Sequence, residues 1–428
     1  MPECATSLVR QEAAPRNDNT LLSELQRLGF GSPVTGFADR ISVQDVTRGD
    51  ADDVLGRLCG IASRGGTLCL SPVEFGEGGF AIETWQRFCE ILRAAFLARN
   101  LATDQLGFCI HSHQLPLQAY CLIADSILGS GPRFVFLDSL QMETHCNRGV
   151  AERSEANWSY LWRRRAATCP LLPVYGGIVR SACPLLSDEV AAGIMPLAGL
   201  HVPANSAWLS IDLPLEHFAD STGAVDEERL VSALRRVVPL ADSLFEGVDW
   251  PCPLQCADAK NNRRLAITLT GLGELVVRRG SKPSDLKCLY DLGRVVRRIR
   301  RELDEASVRM AKQVGTVPAL ARTCPTNNWP AGSCREDWRR RFETAVRNSA
   351  LRHRNLLVMS PYAVLPAAAP YAANYTDLLP LIAYADAWCF AAPPAFAGWN
   401  ITQFMHFHRR ARAIIQGSHA TSFVAAGV

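Results

Sequence analysis

Hydrophobic residues recur along the chain at two alternating spacings. Short apolar runs at 68–70 and 208–213 are typical of strands, and helical spacing follows each of them, over 81–99 and 226–245. Asp226 is predicted to cap the second of these helices. Because both units have the order strand, proline-containing loop and helix, we expect an α/β fold made of two related halves.

The alternation continues beyond the second unit. Residues 263–269 predict a strand and 272–279 a short helix, and a further strand is predicted at 356–359. Between them lies the clearest amphipathic pattern of the chain, predicted to end at Gly315. Its apolar positions share one helix face and are Leu292, Val296, Ile299, Leu303, Ala306 and Met310.

Composition narrows the class of protein. Hydrophobic residues make up 48% of the chain, charged residues 20%, and the net charge is +3, which does not favour nucleic-acid binding. The apolar run at 378–399 is interrupted by prolines and Asp386, so we expect no membrane span. The 15 cysteines include no CxxC pair, and no export signal precedes them, which predicts reduced thiols in a cytoplasmic protein.

Four segments resemble motifs of the ribonucleotide reductase large subunit, and they follow one another along the chain in the same order as in that family. Residues 261–275 resemble its N-R-R-I-G-[IL]-G-V-x-G-[LF]-A-D segment, and residues 306–318 resemble A-S-x-E-L-A-K-E-R-G-x-F-P. Residues 210–213, SIDL, match the S-I-N-L strand, and residues 354–361 fall where the family has R-N-[SA]-x-L-x-x-I-A-P-T-G-T. The four segments together cover about residues 180–380.

The resemblance implies a ten-stranded α/β barrel of two related halves, with a finger loop through its centre. Residues 1–175 match no family motif, so the first half is placed by length and by the repeated unit. The expected segments are a loose N-terminal arm (1–20), a single barrel domain (21–400) and a C-terminal tail (401–428). The barrel domain is expected to consist of a first half (about 21–175), a finger loop (about 180–206) and a second half (about 207–400).

In the family, a finger-loop cysteine flanked by Asn and Glu carries the thiyl radical that abstracts a substrate hydrogen. The resemblance places this cysteine at Cys183, with Ser181 at the Asn position and Leu185 at the Glu position. A second register stays open, in which the loop centres on Met195 and contains no cysteine. An inert buried thiol is the competing interpretation of Cys183.

Other positions depart from the family. Ser206 stands where the family has the strand-entry cysteine, one of the two that supply reducing equivalents, and Asn205 precedes it as a candidate substrate contact. The phosphate-binding A-P-T-G-T becomes SPYAV, in which Ser360 and Tyr362 are the candidate substrate contacts. No CxxC tail is present, since the last cysteine is Cys389.

These departures argue against ordinary ribonucleotide reduction. We expect a diverged reductase-like enzyme that acts on a small molecule in the barrel centre by radical or thiol chemistry. The sequence contains no metal or nucleotide motif, and we interpret the histidine pairs at 111/113 and 406/408 as exposed strand residues. Because no cofactor site is predicted, a radical would have to come from an external source. A radical-generating partner protein and a second copy of the chain stay open as partners. The alternative is a catalytically inactive homologue that binds a ligand or a partner.

Overall fold

The computed structural model describes eleven parts of the chain: 19–64, 66–74, 81–101, 106–111, 134–138, 171–174, 191–195, 200–250, 252–281, 285–319 and 351–359. The elements of the first part are α1 (Asn19–Arg27), β1 (Val34–Ser42), α2 (Val43–Arg48), α3 (Asp52–Ala62), β2 (Thr67–Val73), α4 (Ile82–Leu97), β3 (Leu106–His111), β4 (Phe134–Asp138) and β5 (Leu171–Val174). They are followed by β6 (Ala191–Met195), β7 (Leu200–Pro203), β8 (Ser206–Pro214), a 3-10 helix (Leu215–Phe218), α5 (Glu227–Gly247), α6 (Pro253–Asn262), β9 (Arg264–Thr270), α7 (Leu272–Arg278), α8 (Leu286–Val314) and β10 (Asn355–Met359).

The main sheet consists of two parallel sets of strands that meet in one antiparallel pair. Its order is β10-β9-β8-β1-β2-β3-β4-β5. β1 to β5 run parallel to their neighbours, β8 to β10 do the same, and β1 and β8 are antiparallel. The mixed α/β class is confirmed. β6 pairs with β7 in a separate hairpin, so a closed ten-stranded barrel stays a prediction.

Three elements predicted from periodicity are confirmed. α4 buries Trp85, Phe88, Leu92 and Phe96, the four residues that define its apolar face. Asp226 caps α5 and accepts a hydrogen bond from the backbone N–H of Arg229. α8 ends at Gly315, where the chain takes a φ of 93° that suits glycine.

The proline-containing loop that we expected after the apolar run at 68–70 begins later than predicted, because β2 continues through Pro72 to Val73. Pairing between β2 and β3 is recorded only from Leu68 to Leu70, so Pro72 lies past that ladder. Ile41 of β1 pairs with Pro72, so the proline, which has no backbone N–H, lies where β2 is paired with β1 but not with β3.

One face of β1, β2, β3, β8 and β9 packs on helices, and the other face of these strands forms what we call the inner face. Phe37 and Leu68 pack with α3 and α4, and Leu209 and Ile267 pack with α5 and α8. Because side chains alternate along a strand, the intervening residues point the other way. The inner face is formed by Gly36, Ala38, Arg40, Cys69, Ser71, Ser206, Trp208, Ser210, Asp212, Ala266 and Thr268.

Asp285 caps the longest described helix, and its removal should be measurable. Its carboxylate accepts hydrogen bonds from the backbone N–H groups of Lys287 and Cys288. We expect Asp285→Ala to lower the free energy of unfolding by about 1 kcal/mol, whereas Asp285→Ser, which keeps a capping oxygen, should cost a few tenths. Urea denaturation followed by circular dichroism measures both, and equal losses in the two variants would refute the cap.

Candidate functional site

The inner face carries a row of small and polar residues across four adjacent strands. Ala38 of β1 pairs with Ser206 of β8 on one side and with Cys69 of β2 on the other, and Cys69 pairs with Gly107 of β3. Ser71 lies two residues beyond Cys69 on the same face. The predicted site residue Ser206 therefore faces the same interior as a cysteine that the sequence analysis did not single out.

Buried hydroxyl groups of this face have no hydrogen-bond partner in the described part of the chain. They belong to Ser71 and Ser206, each 0% exposed, and to Thr268, which is 1% exposed. Buried polar side chains are nearly always paired, so such groups are accounted for by a bound water, an ion or a ligand. Ser206 pairs with Ala38 of β1, and Ser71 pairs with Arg40, two residues further along the same strand. Thr268 pairs with Asp212 of β8.

Trp208 closes one side of the row. Its indole lies across β1 at Gly36, where an added Cβ would come within 2.0 Å of the Trp208 Cε2 atom. Trp208 is 2% exposed. The absence of a side chain at Gly36 is thus what lets a large aromatic ring lie on the inner face beside the row of small residues.

The β6–β7 hairpin approaches the same strands. β6 contacts β1, β2 and β3, and helices α3 and α4 already cover the other side of β1 and β2. The hairpin falls within the predicted finger loop. It contains Met195 of the second register, whereas Cys183, Ser181 and Leu185 of the first register lie outside the described residues.

Asn205 lies in the two-residue turn between β7 and β8. It has a φ of 59°, in the left-handed region that asparagine tolerates. Its backbone N–H donates to the Asp39 carboxylate, which also accepts from Arg57 Nη2 at 2.7 Å. Burial raises the pKa of Asp39, and the Arg57 guanidinium opposes that rise. Asn205 thus has a main-chain role in fixing the turn, and its substrate role stays a prediction.

The carboxyl ends of β8, β9 and β10 lie far from Ser206 along the strands. β8, β9 and β10 end side by side, since Leu213 pairs with Leu269 and Leu269 with Met359. Ser206 is at the other end of β8, and a rise of about 3.3 Å per residue puts roughly 23 Å of strand between them. Ser360 and Tyr362 follow Met359 in sequence and lie outside the described residues.

A second polar cluster is buried in the helix layer. His353 Nε2 lies 3.1 Å from Asp242 Oδ1, and His353 Nδ1 lies 3.2 Å from Ser307 Oγ. Asp242 also accepts from Arg352 Nε at 3.1 Å and pairs with Arg263 at 3.4 Å. The cluster joins α5, α8 and the segment that leads into β10.

The order of serine, histidine and aspartate suggests a nucleophile, but the hydrogen bonds exclude it. Ser307 Oγ accepts from the backbone N–H groups of both Arg352 and His353, so both of its lone pairs are occupied and neither is available to attack a substrate. Its own proton is directed to His353 Nδ1. His353 Nε2 then carries the proton and donates to Asp242. Ser307 is 0% exposed and His353 1% exposed, and the cluster ties three separate segments together, so its role is structural and we call it the brace.

The brace predicts a pH dependence of stability. Burial lowers the pKa of His353, although its bond to Asp242 opposes this, so the folded chain keeps the ring neutral. Its contribution is complete above the unfolded pKa of about 6.5 and is lost as the pH falls, because the unfolded chain binds the proton first. Burial acts to raise the pKa of Asp242, but the His353 bond and the arginine charges outweigh it, so Asp242 adds a further loss only under more acidic conditions.

We therefore expect the free energy of unfolding to fall between pH 8 and pH 5, and His353→Gln to flatten this slope. Urea denaturation at a series of pH values is the measurement. His217→Gln, at an exposed histidine, is the control and should leave the slope unchanged. A slope that is the same with and without His353 would contradict the prediction.

Neither the brace nor Cys69 was predicted as functional, although one signal was available. Asp242 is a charged residue next to Ala241 and on the apolar side of the helix predicted over 226–245, where burial requires partners.

Within the described ranges, no group of three or more His, Cys, Asp or Glu residues is arranged to hold a metal ion. Within the same ranges, no helix is both long and apolar enough to cross a membrane. No protein-family model matches the chain, and no curated protein sequence matches it either.

Proposed function

We propose that the chain is a diverged enzyme of the ribonucleotide-reductase-like barrel type that acts on a small molecule held at the inner face. The observation that carries the proposal is that two fully buried hydroxyls without a hydrogen-bond partner, those of Ser206 and Ser71, lie on the same face as the Cys69 thiol. Ser206 pairs with Ala38 of β1, and Ser71 pairs with Arg40, two residues further along that strand. Small-molecule sites are mostly apolar with a few polar groups, and the inner face has this composition.

The strand arrangement supports the barrel part of the proposal. Five parallel strands, β1 to β5, match the five strands that one half of the barrel requires, and β8 to β10 begin the second half. The hairpin at 191–203 occupies the stretch assigned to the finger loop. In the proposed barrel the inner face is the interior wall and the hairpin enters it.

The chemistry proposed is radical or thiol chemistry without reduction by a protein dithiol. Ser206 replaces the strand-entry cysteine, and its cross-strand neighbour is Ala38, so no pair of sulfurs can form a disulfide there. Cys183 is the proposed radical-bearing residue, and Cys69 is a reduced thiol of the inner face itself. The radical would come from a separate protein.

Turnover by single-cysteine variants tests the proposal. The full chain is incubated with a fractionated metabolite extract, with and without a cell fraction containing radical-generating proteins, and consumed compounds are identified by mass spectrometry. Cys183→Ser is expected to abolish consumption. Cys288→Ser, a buried cysteine on the helix side, is the control and should retain it. Full turnover by Cys183→Ser would remove the thiyl proposal.

The inactive homologue is a second candidate, and the hairpin favours it. The described hairpin strands, at 191–195 and 200–203, contain no cysteine, and β6 ends at Met195. If this hairpin presents the finger-loop tip, no thiyl residue reaches the inner face. The candidate predicts that a ligand binds but that no metabolite is consumed by the wild-type chain under either condition.

A further inference from the structure

A groove runs along the outer side of the helix layer, where α5 packs against α8. Its volume is about 550 Å³, which is the size of a small-molecule site. The polar residues that line it are Glu227, Glu228, Ser232, Arg235, Arg236 and Arg298. The side chains of Arg235 and Arg298 are 52% and 38% exposed, so a ligand reaches them directly from solvent.

One buried carboxylate positions two of the arginines. Arg235 Nε donates to Glu302 Oε2 at 2.9 Å, and Arg298 Nε lies 3.1 Å from Glu302 Oε1. Glu302 itself is 2% exposed. The two guanidinium groups are therefore held side by side at the wall of the groove. Because they are oriented in advance, a ligand that binds them has less side-chain freedom to remove.

This end of the groove carries an excess of positive charge. Arg236 pairs with Glu24 of α1, and the same carboxylate accepts from Arg27 at 2.7 Å. Glu24 is thus shared by two guanidinium groups, as Glu302 is. Guanidinium groups held close together repel one another, and an anion bound between them relieves the repulsion. Their planar forks match the oxygens of phosphate and carboxylate groups.

The acidic residues of the groove lie at its other end and have a structural explanation. Glu227 and Glu228 are in the first turn of α5, where carboxylates interact favourably with the helix dipole. Glu227 also pairs with Arg294 at 3.1 Å. A rise of about 1.5 Å per residue separates Glu228 from Arg235 by about 10 Å along the helix. The arginine end therefore keeps its positive charge.

We propose that the arginine end of this groove binds a small molecule with two or more oxyanion groups, phosphate or carboxylate, through Arg235, Arg236 and Arg298. The groove is larger than a single phosphate ion, which favours a molecule with several such groups. It covers only a short stretch of two helices, whereas a partner protein normally covers about 800 Å² of surface. The site lies on the helix side of the sheet and does not depend on the function proposed for the inner face.

Isothermal titration calorimetry on the full chain at low ionic strength tests the inference. The probes are tripolyphosphate, citrate and, as an uncharged compound, glycerol. At least one of the two anions is expected to bind, to raise the Tm of the chain, and to lose affinity as sodium chloride is added. The other anion shows whether the site prefers phosphate or carboxylate groups. Glycerol should give no binding heat.

Variants place the probe in the groove. Arg235→Gln and Arg298→Gln should each weaken binding about tenfold or more, the usual effect of losing a hydrogen bond to a charged group. Ser232→Tyr should abolish binding, because its ring fills the groove while every charge stays in place. Arg309→Gln is the matched control and should leave the Kd unchanged, since it removes the same charge from α8 at a half-exposed ion pair with Glu305. Far-UV circular dichroism checks that each variant is folded.

Several results would overturn the inference. Equal weakening by Arg309→Gln and Arg298→Gln would show that the anion responds only to the overall charge of the helix. Full binding by Ser232→Tyr would place the probe outside the groove. If neither anion binds, the small-molecule site is refuted, and binding of poly-L-glutamate alone would assign the arginines to an acidic protein partner instead. None of these results bears on turnover by the Cys183 variant, so the two proposals fail separately.

Discussion

Asp242→Ala should be the most damaging single substitution on the helix side of the sheet. The change leaves His353 Nε2, Arg352 and Arg263 without the carboxylate that all three contact within 3.4 Å. Removing one partner from a buried ionic network leaves uncompensated charge, so the free energy of unfolding should fall by about 3–5 kcal/mol. Urea denaturation monitored by tryptophan fluorescence measures the loss.

A matched exposed ion pair provides the control for Asp242. Glu305 and Arg309 face each other on the outer side of α8 at 3.9 Å, and both side chains are about half exposed. Glu305→Ala should cost less than about 0.5 kcal/mol. If Asp242→Ala cost no more than this control, the brace would not stabilise the fold.

Gly36→Ala should have the second largest effect, because the added methyl group occupies the position of the Trp208 indole. Its Cβ would lie 2.0 Å from Trp208 Cε2, so the ring has to leave the inner face or β1 has to move away from β8. Overpacking of this kind lowers the free energy of unfolding by about 3 kcal/mol. Circular dichroism in urea measures the change.

The chain offers a matched glycine and a double-mutant cycle for this prediction. Gly56, in α3, has no atom within 4 Å of the added methyl group, so Gly56→Ala should stabilise the chain by about 0.5–1 kcal/mol. Trp208→Leu alone should be costly because it leaves a cavity, but the loss in the Gly36→Ala, Trp208→Leu chain should be smaller than the two single losses added together. Additive losses would show that the two residues do not share one space.

Periodicity predicted the elements that have one apolar face, and these carry the helix-side core. α4, α5 and α8 expose one side to water, so their spacing was visible in the sequence. β1 was not predicted, because its residues 34–39 are all buried and include Gly36, Ala38 and Asp39, which break any alternation. A strand that is buried on both faces shows no alternation of polar and apolar residues in its sequence.

The candidate site was predicted only where one residue could be aligned with a motif. Ser206 was identified in this way and lies on the inner face. In the sequence, Cys69 and Ser71 look like ordinary strand residues. Their position on the same face as Ser206 depends on how β1 pairs with β8 and β2, and no local sequence pattern predicts that pairing. The brace required residues from three distant segments, at 242, 307 and 353, to meet.

The antiparallel pair at the centre of the sheet also affects how the chain folds. Paired strands within each parallel set are closer in sequence, at most about 90 residues apart, whereas Ala38 and Ser206 are paired across roughly 170 residues. Closing so long a loop costs entropy before its contacts form, and contacts of this separation slow folding. Each parallel set should therefore assemble first, and a chain still being synthesised should hold β1 with an unpaired, aggregation-prone edge until residue 206 has emerged.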